Sequence, residues 1–314
     1  MWSMAQLNQT FIATEIVFFN IVGVFGNVNF IYLTATRKKL QSKSSILQCF
    51  LSAFHIICLL CELPNSFLLF LGLQLRRNVC FPAISIYMFA ICVQAFLTLM
   101  ITIDIVIIVY CPSFYRTTST PKYITAMLIP PVIYGLMIIS LGFWTMDDEM
   151  LLFCNPPMSM ILIIRRVWTF SSVVINTIVL LLFAILIFVF HRRGKKQKSD
   201  TRKIMRRLKI MLLFYIFTWY ICLLAADIFV ASGITGPTLS FMLSNLVFFV
   251  LIVYSQSFYI VLWRSPEYRM AFFETYSFIP WVEQVRQGAT WTSKVGTTVS
   301  HHSTAYVSQG TSGN

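Results

Sequence analysis

The sequence predicts an all-α membrane protein, a bundle of seven transmembrane helices with a short amphipathic helix after the seventh span. Hydrophobic residues make up 58% of the 314 residues and charged ones only 11%, which leaves too little polar surface for a soluble protein of this size. Seven apolar stretches account for this composition, and each is long enough to cross the hydrocarbon core as a helix. They are 12–36, 46–72, 81–111, 123–144, 167–190, 210–232 and 238–263.

The basic residues predict which way the bundle faces. If the N-terminus lies outside, all but four of the 24 lysines and arginines fall on the inner side. This distribution follows the positive-inside rule for short loops, so we expect an outer N-terminus and an inner C-terminus. Basic residues at the inner surface would contact anionic lipid, and because they are tethered at a membrane we expect no nucleic-acid partner. The four exceptions are Arg76, Arg77, Arg165 and Arg166.

The outer segments predict two covalent modifications. Six of the eight cysteines lie within apolar stretches, where a thiol is most simply a small packing residue. Cys80 opens the third span and Cys154 lies in the second outer loop, so both face an oxidising compartment and predict a disulfide. This bond would hold the loop across the bundle and stabilise the fold by roughly 2–4 kcal/mol. Asn8, in the extracellular segment 1–11, begins a sequon that predicts glycosylation close to the membrane.

The chain after the membrane bundle, which spans 12–263, predicts two further segments. Ser265 and Pro266 are typical of a helix start, a capping hydroxyl followed by proline at the first helical position. Aromatic residues recur along one side of 264–279, which predicts an amphipathic helix on the inner membrane surface. The composition of 280–314 predicts a disordered cytoplasmic tail, whose hydroxyls would recruit arrestin once phosphorylated.

The sequence offers no motif for catalysis or metal binding. It lacks a Gly-rich loop before Lys-Ser/Thr, a His-Glu-x-x-His motif and paired histidines at helical spacing. His301 and His302 are adjacent in the tail, which is not the spacing of a zinc site. We therefore expect no enzyme activity, no cofactor and no metal.

Polar residues within the apolar stretches predict a ligand pocket in the outer half of the bundle, because ionisable groups are costly in hydrocarbon. Four of them recur in the third span at spacings of seven, four and four, so they share one face: Tyr87, Gln94, Thr98 and Thr102. A few polar groups in an apolar wall are typical of a small-ligand site. The ligand-binding candidates are Glu62, Asn65, Tyr87, Gln94, Trp219, Tyr220, Asp227 and Asn245.

Other roles for these polar residues stay open. Hydroxyls and amides also hydrogen-bond between membrane helices, which is the simpler role for Thr98, Thr102, Ser172 and Asn176. Glu62 and Asp227 would serve either a pocket or a switch, since burying a charge needs a stronger reason. His55 would hydrogen-bond Asn27 or the seventh helix as a neutral imidazole, or it would sense pH.

Short motifs recur in a fixed order along the chain. Gly26-Asn27 lies in the first span, Pro64 in the second, and Cys80 and Asp104 at the two ends of the third. Further stretches are Ser42-Lys43-Ser44, Cys61-Glu62, Arg77 to Phe81, Asp104 to Tyr115, Cys154 to Pro157, and Trp263 to Arg269. Together these motifs resemble a nematode serpentine chemoreceptor of the Srsx type, within the rhodopsin-like G-protein-coupled receptor superfamily. The resemblance extends from about residue 20 to 275, and it depends on the order and spacing of the motifs.

The resemblance implies a chemosensory receptor in the plasma membrane of a sensory neuron or its cilium. Its ligand would be an external small molecule, odorant or pheromone-like, and its inner partner a heterotrimeric G protein. By the resemblance, the G-protein-coupling candidates are Asp104, Pro112, Tyr115, Arg206, Arg207 and Lys209.

Two alternatives remain beside this interpretation. A neuropeptide receptor would use the outer acids Asp147, Asp148 and Glu149 to attract a basic peptide. A ligand-gated channel or transporter is the alternative from another class, although no pair of spans shows the Gly- or Pro-broken inverted symmetry typical of transporters.

The chain departs from the superfamily pattern at its switching residues. Ile105 stands where an arginine would follow Asp104, and His55 stands where the second span usually has an aspartate. The stretch 257–261 replaces the Asn-Pro-x-x-Tyr pattern, and Trp219 lacks the proline usually found two residues later. The resemblance therefore implies the fold of the superfamily without its switching mechanism.

Overall fold

The computed structural model describes residues 4–71, 75–151, 154–193, 224–225, 228–229, 232–234, 236–278 and 280. Within these residues, six helices are long and apolar enough to cross a membrane. They correspond to six of the seven predicted spans, whereas most of the remaining one, 210–232, lies outside the described residues. The count of seven therefore stays a prediction.

The described elements are nine α-helices, one short 3₁₀ helix and two short strands. Before the third span they are α1 (Met4–Thr36), the 3₁₀ helix (Lys38–Leu40), α2 (Lys43–Leu71) and β1 (Leu75–Arg76). Next come α3 (Arg77–Tyr110), α4 (Pro112–Thr117), α5 (Thr120–Trp144), β2 (Met150–Leu151) and α6 (Leu162–Arg193). The last described helices are α7 (Gly236–Asn245), α8 (Val247–Arg264) and α9 (Pro266–Thr275).

The helices that match the predicted spans all begin earlier than the apolar stretches, by two to eight residues, and the difference matters most at α1 and α3. The first, α1, begins at Met4 and so includes most of the predicted extracellular segment, with Asn8 in its opening turns. The third span begins at Arg77, so Cys80 lies within α3 rather than opening it. The backbone N–H of Arg77 donates to the carbonyl of Glu149 at 2.9 Å, and this partner satisfies a helix-start donor that would otherwise need water.

The last predicted span, 238–263, is interrupted at Leu246, which separates α7 from α8. The side-chain amide of Asn245 donates to the carbonyl of Phe241 at 2.7 Å, so it competes for a carbonyl of the preceding turn. The backbone N–H of Phe249 then donates to the Leu246 carbonyl at 3.1 Å, three residues back. A tighter turn therefore replaces the regular helical ladder at this point.

The core of the bundle is built around α3. This helix packs against α2, α5 and α6, and its buried residues run from Arg77 to Asp104. Large apolar side chains such as Ile21 and Phe170 are exposed on other helices, where a bilayer would cover them. The buried face of α3 is the surface that carries the polar candidates of the third span.

The first and last described spans approach closely at Gly23. A Cβ atom at this position would lie 2.5 Å from Oγ of Ser255 and 2.6 Å from Cδ1 of Leu59. The side-chain amide of Asn27, one turn further on, donates to the backbone carbonyl of Tyr254 at 2.8 Å. Only a residue without a side chain allows α1 and α8 to pack at this distance.

Residues from Val261 onward belong to a second unit. Its helix α9 begins at Pro266, as the sequence predicted. The predicted capping hydroxyl is wrong, because the side chain of Ser265 makes no capping hydrogen bond. Proline at the first helical position is enough to start the helix, since its φ is already set for it. The placement of 264–279 on the inner membrane surface stays a prediction.

Candidate functional site

The predicted disulfide Cys80–Cys154 is present at one end of the bundle, with 5.6 Å between the two Cα atoms. Beside it, β1 pairs antiparallel with β2, with Leu75 opposite Leu151 and Arg76 opposite Met150. The loop after α5 is thus joined to α3 by a covalent bond, and to the segment before α3 by backbone hydrogen bonds. The sequence predicted the covalent link but gave no signal for two strands of two residues each.

The three outer acids have partners within the chain. The guanidinium of Arg77 donates to the carboxylate of Asp147, and its Nη2 lies 2.8 Å from Oε2 of Glu149. The side-chain amide of Asn78 donates to the carboxylate of Asp148. These acids were the residues predicted to attract a basic peptide. In this structure they instead fasten their own loop to the start of α3.

Two predicted ligand residues meet in the interior of the bundle. The hydroxyl of Tyr87 on α3 donates to Oε1 of Glu62 on α2, and each residue is only 3% exposed. A carboxyl group buried in a membrane protein is costly unless it serves a site or a partner. The pair therefore marks this level of the bundle as the strongest candidate for the ligand site.

Tyr254 of α8 lies at the same level. It is fully buried, and its side chain interacts electrostatically with those of Glu62 and Tyr87. Its ring centroid lies 5.6 Å from that of His55. The analysis of the sequence did not single out Tyr254, since one tyrosine among many aromatic residues in an apolar stretch gives no signal of its own.

Two buried acceptor atoms lie near these residues. Oε1 of Gln94 and Nδ1 of His55 have no hydrogen-bond partner among the described residues. Of the roles left open for His55, the hydrogen bond to Asn27 is not formed, because the Asn27 amide nitrogen donates to the carbonyls of Gly23 and Tyr254 and its Oδ1 has no partner among the described residues. Leaving a buried acceptor without a partner costs about 1–3 kcal/mol, so each is a place where a ligand donor could bind.

Other polar candidates bond within their own helices. The hydroxyls of Thr98 and Thr102 donate to the carbonyls of Gln94 and Thr98 on α3, at 2.9 and 2.8 Å. Their predicted donation to neighbouring helices is therefore wrong, since the carbonyl one turn back is the nearer acceptor. The amide of Asn176 likewise donates to the Ser172 carbonyl at 2.6 Å. Asn245 donates within α7 and does not join the Glu62 pair through this bond.

At the other end of α3, Asp104 is fully buried and accepts two hydrogen bonds. One comes from the hydroxyl of Ser44 on α2, and the other comes from the hydroxyl of Tyr123 on α5 at 2.7 Å. Ile105, which stands in the place of the superfamily arginine, packs against the hydrophobic core. Two hydroxyls thus bind the carboxylate without any contribution from residue 105.

Lys43, beside Ser44, holds the short helix α4. Its ammonium donates to the carbonyl of Tyr115 and to that of Thr118, the latter at 2.6 Å. It also lies 4.6 Å from the ring centroid of Tyr115 and 5.1 Å from that of Tyr123. Burial raises the pKa of the Tyr115 hydroxyl, and hydrogen bonding with Ser44 opposes this shift. Pro112, the first residue of α4, is exposed.

A family model described as the serpentine type 7TM GPCR chemoreceptor Srsx matches residues 20–276. The chain belongs to this Srsx family. No curated protein matches it. The match includes both ends of the bundle and the Glu62–Tyr87 pair, and it ends within the predicted amphipathic segment 264–279. Membership of the family makes this a multi-pass membrane protein related to G-protein-coupled chemosensory receptors.

Several predicted sites of this Srsx protein fall outside the described residues. Among the ligand candidates these are the side chain of Asn65 and the residues Trp219, Tyr220 and Asp227. Among the coupling candidates they are Arg206, Arg207 and Lys209. The predicted tail, 280–314, also lies outside the described residues apart from Pro280, and so do the hydroxyls from Thr290 to Ser312 that were expected to recruit arrestin. Within the part of the chain that the structure describes, His, Cys, Asp and Glu form no group able to bind a metal ion.

Proposed function

We propose that this Srsx protein is a chemosensory receptor that binds an external small molecule, odorant or pheromone-like, and signals to a heterotrimeric G protein. It would act in the plasma membrane of a sensory neuron or its cilium, with the N-terminus outside. Family membership supports the receptor class. The buried polar residues around Glu62 support a small molecule as the ligand.

The observation that carries the ligand proposal is the hydrogen bond between Tyr87 and Glu62, both almost fully buried. Tyr254 lies at the same level, and the acceptor Oε1 of Gln94 has no partner among the described residues. A few polar atoms in an apolar surrounding fit a small molecule that is largely apolar and carries one or two hydrogen-bond donors. A ligand donor would complete the bonding of Gln94 and so gain affinity.

The outer acids favour a small molecule over a basic peptide. The carboxylates of Asp147 and Glu149 already bind Arg77, and that of Asp148 binds Asn78. A basic peptide would have to replace these intramolecular partners before it could use the acids. A small ligand that passes to the level of Glu62 needs none of them.

Signalling would require that the ligand favour one of two helix arrangements. The ligand level includes side chains of α2, α3 and α8, so a bound molecule could change how these three helices pack. At the inner end the same α2 and α3 carry Ser44 and Asp104, which bind each other and interact with the coupling candidate Tyr115. We therefore expect that ligand binding affects the inner end through a movement of α2 against α3.

The first test is calcium imaging of cells that express the full chain, with panels of volatile, water-soluble and peptide compounds. Each response is measured with and without an inhibitor of G-protein nucleotide exchange. We expect a response to a small compound that the inhibitor abolishes. A response that survives the inhibitor and is accompanied by membrane current would contradict the proposal and favour a ligand-gated channel.

Two matched variants locate the ligand. E62Q keeps the size of the side chain but replaces the carboxyl group by an amide, and we expect it to raise the half-maximal ligand concentration at least about tenfold, as loss of a buried hydrogen-bond partner does. D148K reverses a charge in the outer loop and should leave a small-molecule response unchanged. The opposite pattern, sensitivity to D148K and not to E62Q, would favour the neuropeptide receptor.

A further inference from the structure

Lys43 makes contacts that its role as one of many inner basic residues does not explain. It is the first residue of α2, and its ammonium donates to the carbonyls of Tyr115 and Thr118. Thr118 directly follows α4, and the last carbonyls of a helix have no partner within it. A cation bound there also interacts favourably with the helix dipole. Lys43 therefore caps α4 from a neighbouring helix.

Helix α4 needs such a partner. It contains only six residues and has no buried residue of its own. Isolated helices of this length are not stable in water, because one or two turns do not repay the cost of starting a helix. Its position must therefore come from contacts with the rest of the bundle, and the two bonds from Lys43 are direct contacts to its C-terminal end.

Two aromatic rings complete the surroundings of this ammonium. The rings of Tyr115 and Tyr123 lie 4.6 and 5.1 Å from it, and they contact each other edge to face at 5.5 Å. Tyr123 also donates to Asp104, while Ser44 donates to the same carboxylate. Adjacent residues of α2 thus hold different elements, since Lys43 holds α4 and Ser44 holds α3.

We infer that Lys43 is a positioning residue that fixes α4 against α2 and α5 and so presents α4 to the G protein. The ammonium beside Tyr115 and Tyr123 is supplied by Lys43 at the start of α2, whereas residue 105 contributes an apolar side chain. The part of this inference that concerns coupling rests on the proposed function. The part that concerns the position of α4 does not.

The position of α4 is tested by hydrogen–deuterium exchange of the full chain in lipid nanodiscs. In K43M we expect the amides of 115–118 to exchange at least about tenfold faster than in the wild type, because a charged hydrogen bond is lost. The outer segment 147–151 should not change. K43R, which keeps the charge and the donors, should restore slow exchange.

Lys38 provides the matched control, because it is an exposed lysine of the same inner region. K38M removes one positive charge from the inner surface but none of the bonds to α4. The inference would be overturned if the amides of 115–118 exchanged as slowly in K43M as in the wild type. It would also be overturned if K38M accelerated their exchange as much as K43M does. If K43M does not fold, K43Q replaces it, because an amide keeps a donor but lacks the reach and charge.

Coupling is tested with the same nanodiscs, a purified heterotrimeric G protein and the small compound that gives the calcium response, by the rate of nucleotide exchange. We expect K43M to need at least about threefold more G protein for half-maximal rate, with K43R and K38M close to the wild type. Faster amide exchange in K43M with unchanged coupling would overturn the role in presenting α4. No nucleotide exchange with the wild type would contradict the proposed function, while the amide exchange would still decide the position of α4.

Discussion

At each end of the bundle, a contact joins residues that are similarly far apart in the sequence, but the chemistry of the contact differs. At the outer end a disulfide joins Cys80 to Cys154, 74 residues apart, and Arg77 binds two carboxylates. At the inner end Lys43 holds Thr118, 75 residues away, by hydrogen bonds alone. A disulfide persists in an oxidising compartment and is rare in the cytosol, so the proposed orientation accounts for the difference. The outer loops are fastened covalently, whereas the inner contacts can break and re-form.

The largest effect is expected from removal of the covalent link. The double variant C80S/C154S loses a cross-link that closes a loop of 74 residues, which should lower the free energy of unfolding by about 4 kcal/mol. The measurement is the melting temperature of the purified chain, together with the amount that reaches the cell surface. C111S changes an exposed free cysteine at the inner end and should have little effect. Equal losses in the two variants would remove the contrast between the ends.

The next effect concerns packing beside the disulfide. In α5 a Cβ at Gly142 would lie 2.7 Å from Cε2 of Phe81, a residue that is fully buried. G142A should lower the free energy of unfolding by about 1–3 kcal/mol through overpacking, which exceeds the gain of up to about 1 kcal/mol from alanine in a helix. Adding F81L should recover part of the loss in melting temperature. No recovery would show that the clash is not the cause.

At the inner end, Y123F tests one of the two bonds to Asp104. Loss of the hydroxyl should lower the free energy of unfolding by about 1–2 kcal/mol, because the buried carboxylate keeps only the bond from Ser44. Thermal unfolding in detergent measures this loss, with Y32F as the control at an exposed tyrosine. A Y123F variant as stable as Y32F would show that the bond from Tyr123 to Asp104 contributes nothing to stability.

The smallest effect is expected from the exposed ion pair of the outer end. The side chain of Glu149 is 65% exposed, so its pairing with Arg77 is screened by water and salt. E149Q should change the free energy of unfolding by less than about 1 kcal/mol, and the difference should vanish at high salt. A loss as large as that from the disulfide would mean that the ion pairs hold the outer loops as strongly as the covalent bond does.

Patterns along the chain predicted the features that depend on one helix alone. Helix length and composition predicted the spans, and spacing placed Tyr87, Gln94 and Thr102 on one face, which the burial of all three confirms. The Cys80–Cys154 pair was predictable because only two cysteines lay outside the apolar stretches on the oxidising side.

Contacts between helices could not be predicted in the same way. The meeting of Tyr87 with Glu62 depends on how far α3 is shifted along α2, and no residue pattern within either helix sets that shift. The contacts of Lys43 could not be predicted, since its partners are backbone carbonyls, which every residue has. From the sequence alone, Lys43 is one of the basic residues that set the orientation. Tyr254 was missed for a related reason, because its role comes from its neighbours on α2 and α3.

The close approach of α1 to α8 has a consequence for biosynthesis. Asn27 donates to Tyr254, 227 residues later in the chain, so the first span is made long before its partner exists. Until the last span enters the membrane, the amide of Asn27 and the bare backbone at Gly23 lack the surface that covers them in the finished bundle. During this interval the nascent chain would depend on the insertion machinery or a membrane chaperone to shield them. A chain that ended before α8 should therefore be retained in the endoplasmic reticulum and degraded.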